Sequence, residues 1–150
     1  MKYTVSETCD CPRDAFVRYL IGPDHLSEWQ HTLIRHEAIS GETGTEGSQA
    51  RLINQFGKRK IEIIETIETA NLPDTMSVVY EGPGAWNRVF YRIMDTPSGG
   101  TTWSMDCEFR CTGTLRVMSL LFPGMFKRAT TKEMKNLKAY AEAQSRKETA

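Results

Sequence analysis

Apolar and polar residues alternate with a period of two along most of the chain. The cleanest example is the segment 101–111, TTWSMDCEFRC. One of its faces carries the large apolar residues, which are Trp103, Met105, Cys107, Phe109 and Cys111. Such alternation is typical of a β-strand with one buried face. Comparable patterns, joined by short turns, occupy residues 3–9, 32–40, 48–56, 58–69, 75–82 and 86–94. The sequence therefore predicts seven strands, and the short turns favour antiparallel pairing.

Two short helical patterns interrupt the strands after the first one. In residues 10–21, Pro12 suits the first helical position, where its missing N–H costs nothing. In residues 22–29, GPDHLSEW, the apolar Leu26 and Trp29 fall on one face of a single short helix. A helix this short is not stable alone, so Trp29 must pack against a large apolar surface.

The hydrophobic period changes after Gly113. Apolar or small residues then recur every three or four positions, at Phe122, Phe126, Thr130, Met134, Leu137 and Ala141. This spacing predicts one long C-terminal helix, fraying over residues 143–150. We expect residues 1–150 to form a single α+β domain. In it, a seven-stranded curved antiparallel sheet surrounds the long helix, and the two short helices between strands 1 and 2 plug one end.

Composition narrows the functional classes. The chain has 19 Lys and Arg and 19 Asp and Glu, so its formal charge is zero. This balance argues against nucleic acid as the partner. No apolar run approaches the roughly 20 residues of a membrane-spanning helix, and the start of the chain shows no apolar signal segment. We therefore expect a cytoplasmic protein without an integral membrane segment.

The cysteines and glycines do not form a recognisable metal or cofactor motif. The spacings of Cys9 with Cys11 and of Cys107 with Cys111 differ from the C-x-x-C pairs typical of zinc sites. Free, buried or half-buried thiols are the simpler prediction. The glycine-rich segment 41–47 lies between two strands, whereas phosphate binding requires a helix after the glycines. We expect no metal and no cofactor.

Three segments carry a resemblance to a known family. Residues 11–29, CPRDAFVRYLIGPDHLSEW, resemble the start of the START/polyketide-cyclase (SRPBCC) superfamily. In that superfamily, a helix that begins with an Ala-Pro-like pair is followed by a second helix of the type Asp-Pro-x-x-Leu-x-x-Trp. Residues 98–109 resemble the family's Gly-Thr strand, and residues 121–142 resemble its last helix. Cys11 stands where the family often has Ala. The resemblance implies a helix-grip fold around an apolar cavity, with Trp29 near its closed end.

Inward-facing positions supply the predicted wall of this cavity. In residues 86–94 the assignment of faces is ambiguous, but Arg88 and Arg92 favour the odd-numbered residues as the inner set. The predicted lining consists of Trp29, Leu52, Asn54, Phe56, Ile63, Glu65, Met76, Val78, Tyr80, Val89, Tyr91, Trp103, Met105, Cys107, Phe109, Phe122, Phe126 and Met134. The same side chains would also suit a filled core, so a cavity requires that the helix cover only part of them.

Glu65 is the polar residue with the most chemical interest. It shares strand parity with Ile61, Ile63 and Ile67, which places a carboxyl group on an apolar face. Desolvation there would raise its pKa and suit it to acid–base catalysis. A β-bulge near Ile63 and Ile64 would instead turn it to solvent. Tyr80 and Tyr91 are weaker catalytic candidates.

Three functions follow from the residues and the resemblance. The first is a carrier or sensor that binds a lipid, a polyketide-like compound or another apolar small molecule. The second is a cyclase or dehydratase that uses the same cavity, although the sequence offers one questionable carboxylate and leans against an enzyme. The third is a protein-interaction module of the chaperone-activator type. An exposed apolar patch would indicate this third function, and Trp86 and Phe90 would form such a patch if they face outward.

Overall fold

The computed structural model describes residues 1–149, in which seven strands and four helices follow one another. The strands are β1 (Lys2–Cys9), β2 (Leu33–Ser40), β3 (Gln49–Phe56), β4 (Arg59–Asn71), β5 (Thr75–Gly82), β6 (Ala85–Asp95) and β7 (Thr101–Cys111). The helices are α1 (Arg13–Ile21), α2 (Pro23–Trp29), α3 (Gly113–Leu121) and α4 (Met125–Thr149). The two short helices between the first two strands, the six consecutive strands and the long last helix agree with the sequence prediction.

All seven strands belong to one antiparallel sheet. Their order is β1-β7-β6-β5-β4-β3-β2, so the first two strands of the chain form the two edges of the sheet. The sheet curves around α4, whose buried side chains Met134, Leu137 and Ala141 face it. Helices α1 and α2 pack against each other and against α4 at one end. This is the helix-grip arrangement that the sequence predicts.

The end of the sheet covered by α1 is tightly packed. The rings of Phe16 and Trp103, both fully buried, have centroids 4.6 Å apart. Trp29 is 4% exposed, and its indole N–H donates a hydrogen bond to the Tyr19 carbonyl oxygen at 3.0 Å. That bond satisfies the polar edge of a large apolar ring, which explains how a seven-residue helix ends in a tryptophan. The short helices therefore close one end of the sheet.

The pairing of strands fixes the faces that the sequence left ambiguous. On β6 the odd-numbered Val89, Tyr91 and Ile93 are buried, as the outward arginines indicate. On β4 the register is regular from its start through Ile67, and the irregularity follows at Glu68. A bulge does occur in this strand, but it comes after Glu65. The carboxyl group therefore stays on the inner face.

The C-terminal region differs from the prediction of one continuous helix. Helices α3 and α4 are separated at Phe122–Gly124, because Phe122 precedes a proline and has a non-helical backbone (φ −128°, ψ 71°). Helix α4 then continues to Thr149, through most of the segment that we expect to fray. Contacts with α1 hold this last segment: Ser145 is buried, and Glu148 forms an ion pair of 3.0 Å with Arg18. Residue 150 lies outside the described residues.

Across residues 1–149, no helix has both the length and the apolar character needed to cross a bilayer. The same residues contain four cysteines without a disulfide bond. Cys9, Cys11 and Cys107 are buried, and Cys111 is half-buried.

Candidate ligand-binding cavity

A large cavity lies between the curved sheet and α4. Its volume is about 780 Å³, and its wall is built mainly from the inner faces of β3 to β7 and one face of α4. Packed protein interiors contain few voids larger than a water molecule, whereas ligand pockets usually measure about 300–1,000 Å³. The inward side chains therefore do not form a filled core. They surround a space large enough for a small organic molecule.

Most of the predicted lining residues lie on this wall. They are Trp29, Leu52, Asn54, Phe56, Ile63, Tyr80, Val89, Tyr91, Trp103, Met105, Cys107, Phe109, Phe126 and Met134. Glu65, Met76 and Val78 line an adjoining cavity of about 30 Å³. That smaller space, enough for one or two water molecules, shares Trp29, Tyr80 and Tyr91 with the large one. The two spaces meet at the tyrosines.

Phe122 is the predicted lining residue that the structure places elsewhere. It is 52% exposed and lies outside both cavities. The assignment rested on extending the helical spacing of α4 backward through Pro123. The helix break at that proline turns Phe122 outward, whereas Phe126, at the start of α4, faces the cavity.

A row of polar side chains crosses the sheet beside the cavity. In the strand registers Glu65 lies opposite Tyr80, and Tyr80 lies opposite Asn87. Directly opposed residues have Cβ atoms about 4.5–5.5 Å apart, so these side chains form a continuous polar row. The amide oxygen Oδ1 of Asn87 is buried and has no hydrogen-bond partner among residues 1–149. The row therefore offers an acceptor that the rest of the described chain does not use.

A further polar wall residue, Asn54, lies on β3, and its amide oxygen already has a hydrogen-bond partner. Asn54 is 6% exposed, and its Oδ1 accepts a hydrogen bond of 3.1 Å from the Thr32 hydroxyl. It is an inward polar group, as the sequence predicts. Its carbonyl oxygen helps to hold the segment between α2 and β2 against the sheet.

A second carboxyl group enters the cavity from α4. Glu133 lines the cavity, and its side chain is exposed. Desolvation by the protein packed around its carboxyl group raises the pKa of Glu133 to about 7. Burial also raises the pKa of Glu65 to about 7, although a hydrogen bond from the Tyr80 hydroxyl opposes part of the rise. Both carboxyl groups therefore titrate near neutral pH.

The two tyrosines connect these carboxyl groups. Burial raises the pKa of Tyr80, and the neighbouring Tyr91 and Glu65 raise it further. The pKa of Tyr91 is also raised, first by burial and then by the charge of Glu133. Both phenols therefore remain protonated and can donate hydrogen bonds. Tyr80 and Tyr91 are close enough to shift each other's pKa, so the cavity contains a polar cluster of two phenols and two carboxyl groups.

Sequence reasoning missed Asn87 and Glu133. Asn87 shares the odd parity of Val89 on β6, and this signal was available once the arginines had set the faces. Glu133 lies seven residues, or two helical turns, after Phe126 and next to Met134 on the inward stripe of α4. A charged residue at the margin of an apolar stripe usually faces solvent. Here the exposed Glu133 also lines the cavity.

The cavity wall includes exposed residues at the end of the sheet opposite α1. Cavity-lining residues there come from the β3–β4 turn, the β5–β6 turn, α3 and the start of α4. They include Phe56, Arg59, Pro83, Leu115 and Met125. Phe56 is 50% exposed, and Arg59 is also exposed. Turns therefore form part of the cavity wall at this end.

A curved antiparallel sheet that grips a long C-terminal helix around an internal cavity defines a helix-grip ligand-binding domain. The family model described as polyketide cyclase / dehydrase and lipid transport matches residues 1–142. The chain belongs to this family. Among curated proteins, none matches the sequence.

Solved structures share the fold at low sequence identity. A conserved protein from Geobacillus kaustophilus superposes with a TM-score of 0.78 and 13% identity, covering 94% of this chain and 95% of its own. TTHA0849 from Thermus thermophilus superposes with a TM-score of 0.75 and 13% sequence identity, covering 97% of this chain and 99% of its own. Ara h 8.0201 superposes with a TM-score of 0.75 and 11% sequence identity, covering 95% of this chain and 98% of its own. These similarities extend over nearly the whole of each chain and establish the fold.

Proposed function

We propose that the protein binds an apolar small molecule in the cavity between the sheet and α4, as a carrier or sensor. The observation that carries this proposal is the volume of about 780 Å³ enclosed by mostly apolar and aromatic side chains. A wall of this composition favours burial of apolar ligand surface and tolerates ligands of varied shape, especially where methionines such as Met105 and Met134 contribute. The family description, which includes lipid transport, supports the same class of ligand.

The polar cluster favours a ligand with one hydrogen-bonding end. The unpartnered Oδ1 of Asn87 accepts a hydrogen bond. A lipid-like or polyketide-like molecule with a hydroxyl group at that end would satisfy this atom while its apolar body contacts the wall. We place this function in the cytoplasm, an assignment supported by the four unbridged cysteines.

A fluorescent probe tests the binding function directly. We expect N-phenyl-1-naphthylamine, a neutral apolar dye, to bind the folded protein with a Kd of about 1 μM, equivalent to about −8 kcal/mol. Ala129 lines the cavity from α4, so Ala129→Phe should fill part of the space and weaken dye binding. Ala139, exposed on the same helix but outside the cavity wall, provides the matched control Ala139→Phe.

The outcomes separate a cavity from a packed core. Weaker dye binding by Ala129→Phe, with unchanged binding by Ala139→Phe, supports the proposal. Absence of dye binding in the parent protein would contradict it, as would equal losses in the two variants. Native mass spectrometry of the protein as expressed then identifies the mass of any small molecule that co-purifies.

A second candidate function is a cyclase or dehydratase, and the observation that favours it is the pair of carboxyl groups with pKa values of about 7. In a dehydration, the carboxylate of one removes a proton from the carbon next to a carbonyl group. The protonated carboxyl of the other donates a proton to a β-hydroxyl group, which leaves as water as the carbon–carbon double bond forms. Glu65 and Glu133 would share these roles.

A β-hydroxy ketone with an apolar tail tests this second candidate. Formation of the conjugated enone is followed by its ultraviolet absorbance. Loss of one acid–base group typically lowers the rate by about 10²–10⁴-fold, so Glu65→Gln and Glu133→Gln should each reduce the rate by this order. Both variants should still bind the dye. No enone formation by the parent protein, with dye binding intact, leaves the carrier or sensor function as the better account.

A further inference from the structure

Helix α3 carries an apolar surface that no other part of residues 1–149 covers. None of its residues is buried, and the exposed apolar side chains continue into the turn before α4. The exposed residues are Val117, Met118, Leu120, Leu121 and Phe122, with exposed fractions between 36% and 74%. Large apolar side chains exposed in one continuous segment mark an interaction site.

The outer face of β6 provides a contrast. The hypothesis of a protein-interaction module requires Trp86 and Phe90 to face outward. Both lie outside the cavity, but they are half-buried. Arginine side chains lie over their rings: the guanidinium of Arg110 is 4.4 Å from the Trp86 centroid, and that of Arg92 is 5.0 Å from the Phe90 centroid. Stacked guanidinium groups cover these aromatics. Helix α3 has no such cover among the described residues.

Basic residues surround the apolar segment. No Asp or Glu occurs between residues 110 and 132, a stretch that contains Arg110, Arg116, Lys127, Arg128 and Lys132. The β3–β4 turn, which lines the same end of the cavity, adds Lys58, Arg59 and Lys60. Of these eight residues, Arg110 alone forms an ion pair within residues 1–149, with Glu108 at 3.1 Å. Seven of these eight basic residues therefore have no ion-pair partner among residues 1–149, and the exposed acidic residues near them include Glu81 and Glu133.

We propose that α3 docks the protein on the surface of an anionic lipid bilayer. Its apolar side chains would insert at the level of the headgroups, and the surrounding lysines and arginines would contact lipid phosphates. Amphipathic helices bind membranes in this way, and basic residues near the surface add attraction to anionic lipids. With nine residues, α3 is about 13 Å long, which suits a helix lying in the interface. The combination of exposed apolar side chains and basic residues matches an anionic bilayer, in which a negatively charged phosphate layer lies directly over an apolar interior.

Docking in this orientation would turn this end of the cavity toward the bilayer. Leu115 of α3 and Met125 of α4 both line the cavity, so the apolar docking segment is continuous with the cavity wall. An apolar ligand would then move between lipid and protein with little exposure to water. The docking itself requires no cavity ligand, so its test is independent of the proposed binding function.

Vesicle sedimentation tests the proposal. Vesicles of phosphatidylcholine with about 30% phosphatidylglycerol should bind the protein, and vesicles of phosphatidylcholine alone should bind it much more weakly. Leu120→Ser with Leu121→Ser should lower the vesicle affinity at least about tenfold, because both side chains lose their apolar contact with lipid. Lys127→Gln with Arg128→Gln should lower it by about 20- to 30-fold, since each basic residue contributes about fivefold.

Matched controls use equivalent residues far from α3. Ile34→Ser with Ile39→Ser removes two exposed apolar side chains from β2, where the exposed fractions are 49% and 43%. Arg146→Gln with Lys147→Gln removes two exposed charges from the opposite end of α4. Both control variants should bind anionic vesicles as the parent does. Every substituted apolar side chain is exposed, so the folded state should persist, and a thermal melt verifies this.

Three outcomes would overturn the proposal. One is a parent protein that does not bind anionic vesicles. Another is an equal loss of binding in the control variants. The third is a concentration-dependent dimer, seen by analytical ultracentrifugation and abolished by the Leu120 and Leu121 substitutions, which would make α3 the interface with a second copy. Dye binding in the cavity is measured without vesicles, so either function can fail while the other stands.

Discussion

Glu65 on β4 lies directly opposite Tyr80 on β5, and both side chains line the inner face of the sheet. The register places a carboxyl group and a phenol side by side where the surrounding residues are mostly apolar. Burial raises the pKa of the carboxyl group to about 7, so the neutral form is favoured over a wider pH range than in the unfolded chain. This relationship makes stability and ligand binding depend on pH.

The raised pKa of Glu65 predicts that its contribution to stability decreases as pH rises. Between about pH 4.5 and pH 7 the folded state binds more protons than the unfolded state, so the free energy of unfolding falls with increasing pH. Glu65→Gln keeps the neutral shape and removes the titration. Relative to the parent, this variant should be more stable at pH 8 than at pH 5.

Urea unfolding at the two pH values measures this difference. Glu81→Gln, next to Tyr80 on the exposed face of β5, is the matched control and should show no such change. A Glu65→Gln variant whose stability relative to the parent is the same at both pH values would contradict the burial of the charge.

The unpartnered amide oxygen of Asn87 makes a prediction about ligand chemistry. Asn87→Leu should stabilise the free protein by about 1 kcal/mol, because it removes a buried polar atom that lacks a partner among residues 1–149. The same change should weaken binding of a long-chain alcohol by about 2- to 10-fold and leave binding of the corresponding alkane unchanged. Displacement of the cavity dye measures both affinities. Equal effects on alcohol and alkane would show that Asn87 does not recognise the polar end.

Trp29 should be a major contributor to stability. Its ring is 4% exposed and its indole N–H is hydrogen-bonded, so Trp29→Ala should cost about 3–5 kcal/mol. Trp29→Phe keeps much of the apolar area and should cost less. Urea denaturation measures both values, and a cost below about 1 kcal/mol for the alanine variant would show that α2 does not close the end of the sheet.

The cysteines should differ in reactivity although all four are free thiols. Cys111 is half-buried at the end of β7, and the other three are buried. Burial raises the pKa of Cys107 to about 11, which keeps its thiol protonated and unreactive at neutral pH. Ellman's reagent should therefore label about one thiol in the native protein and four after denaturation without reductant. Detection of a stable intramolecular disulfide would contradict this prediction.

The strands and their inner faces were predictable because period-two alternation is a local signal. The alternation in β7 identified its buried face directly, and the two arginines of β6 were sufficient to orient that strand. The bulge at Glu68 was not predictable, since it depends on how β4 pairs with two neighbours whose registers differ. For the same reason the orientation of Glu65 remained ambiguous until the sheet was assembled.

Residues near the helices were harder to predict. Pro123 ends the helical spacing before α4, and the pattern that assigned Phe122 to the cavity did not take the proline into account. Glu133 faces a cavity whose size depends on how far α4 sits from the sheet, which is a tertiary property. The helical conformation of the last residues of α4 depends on contacts with α1, such as the ion pair between Arg18 and Glu148.

The order of the strands has a consequence for synthesis of the chain. Strand β1 is made first, but it pairs only with β7, where Lys2 lies opposite Glu108. At roughly 5–20 residues per second, translation takes about 5–20 s to reach this partner. During that interval β1 leaves the ribosome as an unpaired strand, and the sheet can grow only from β2 to β6. Pairing of β1 is then the step that completes the edge of the sheet, and a chaperone that holds extended segments would act on this strand first.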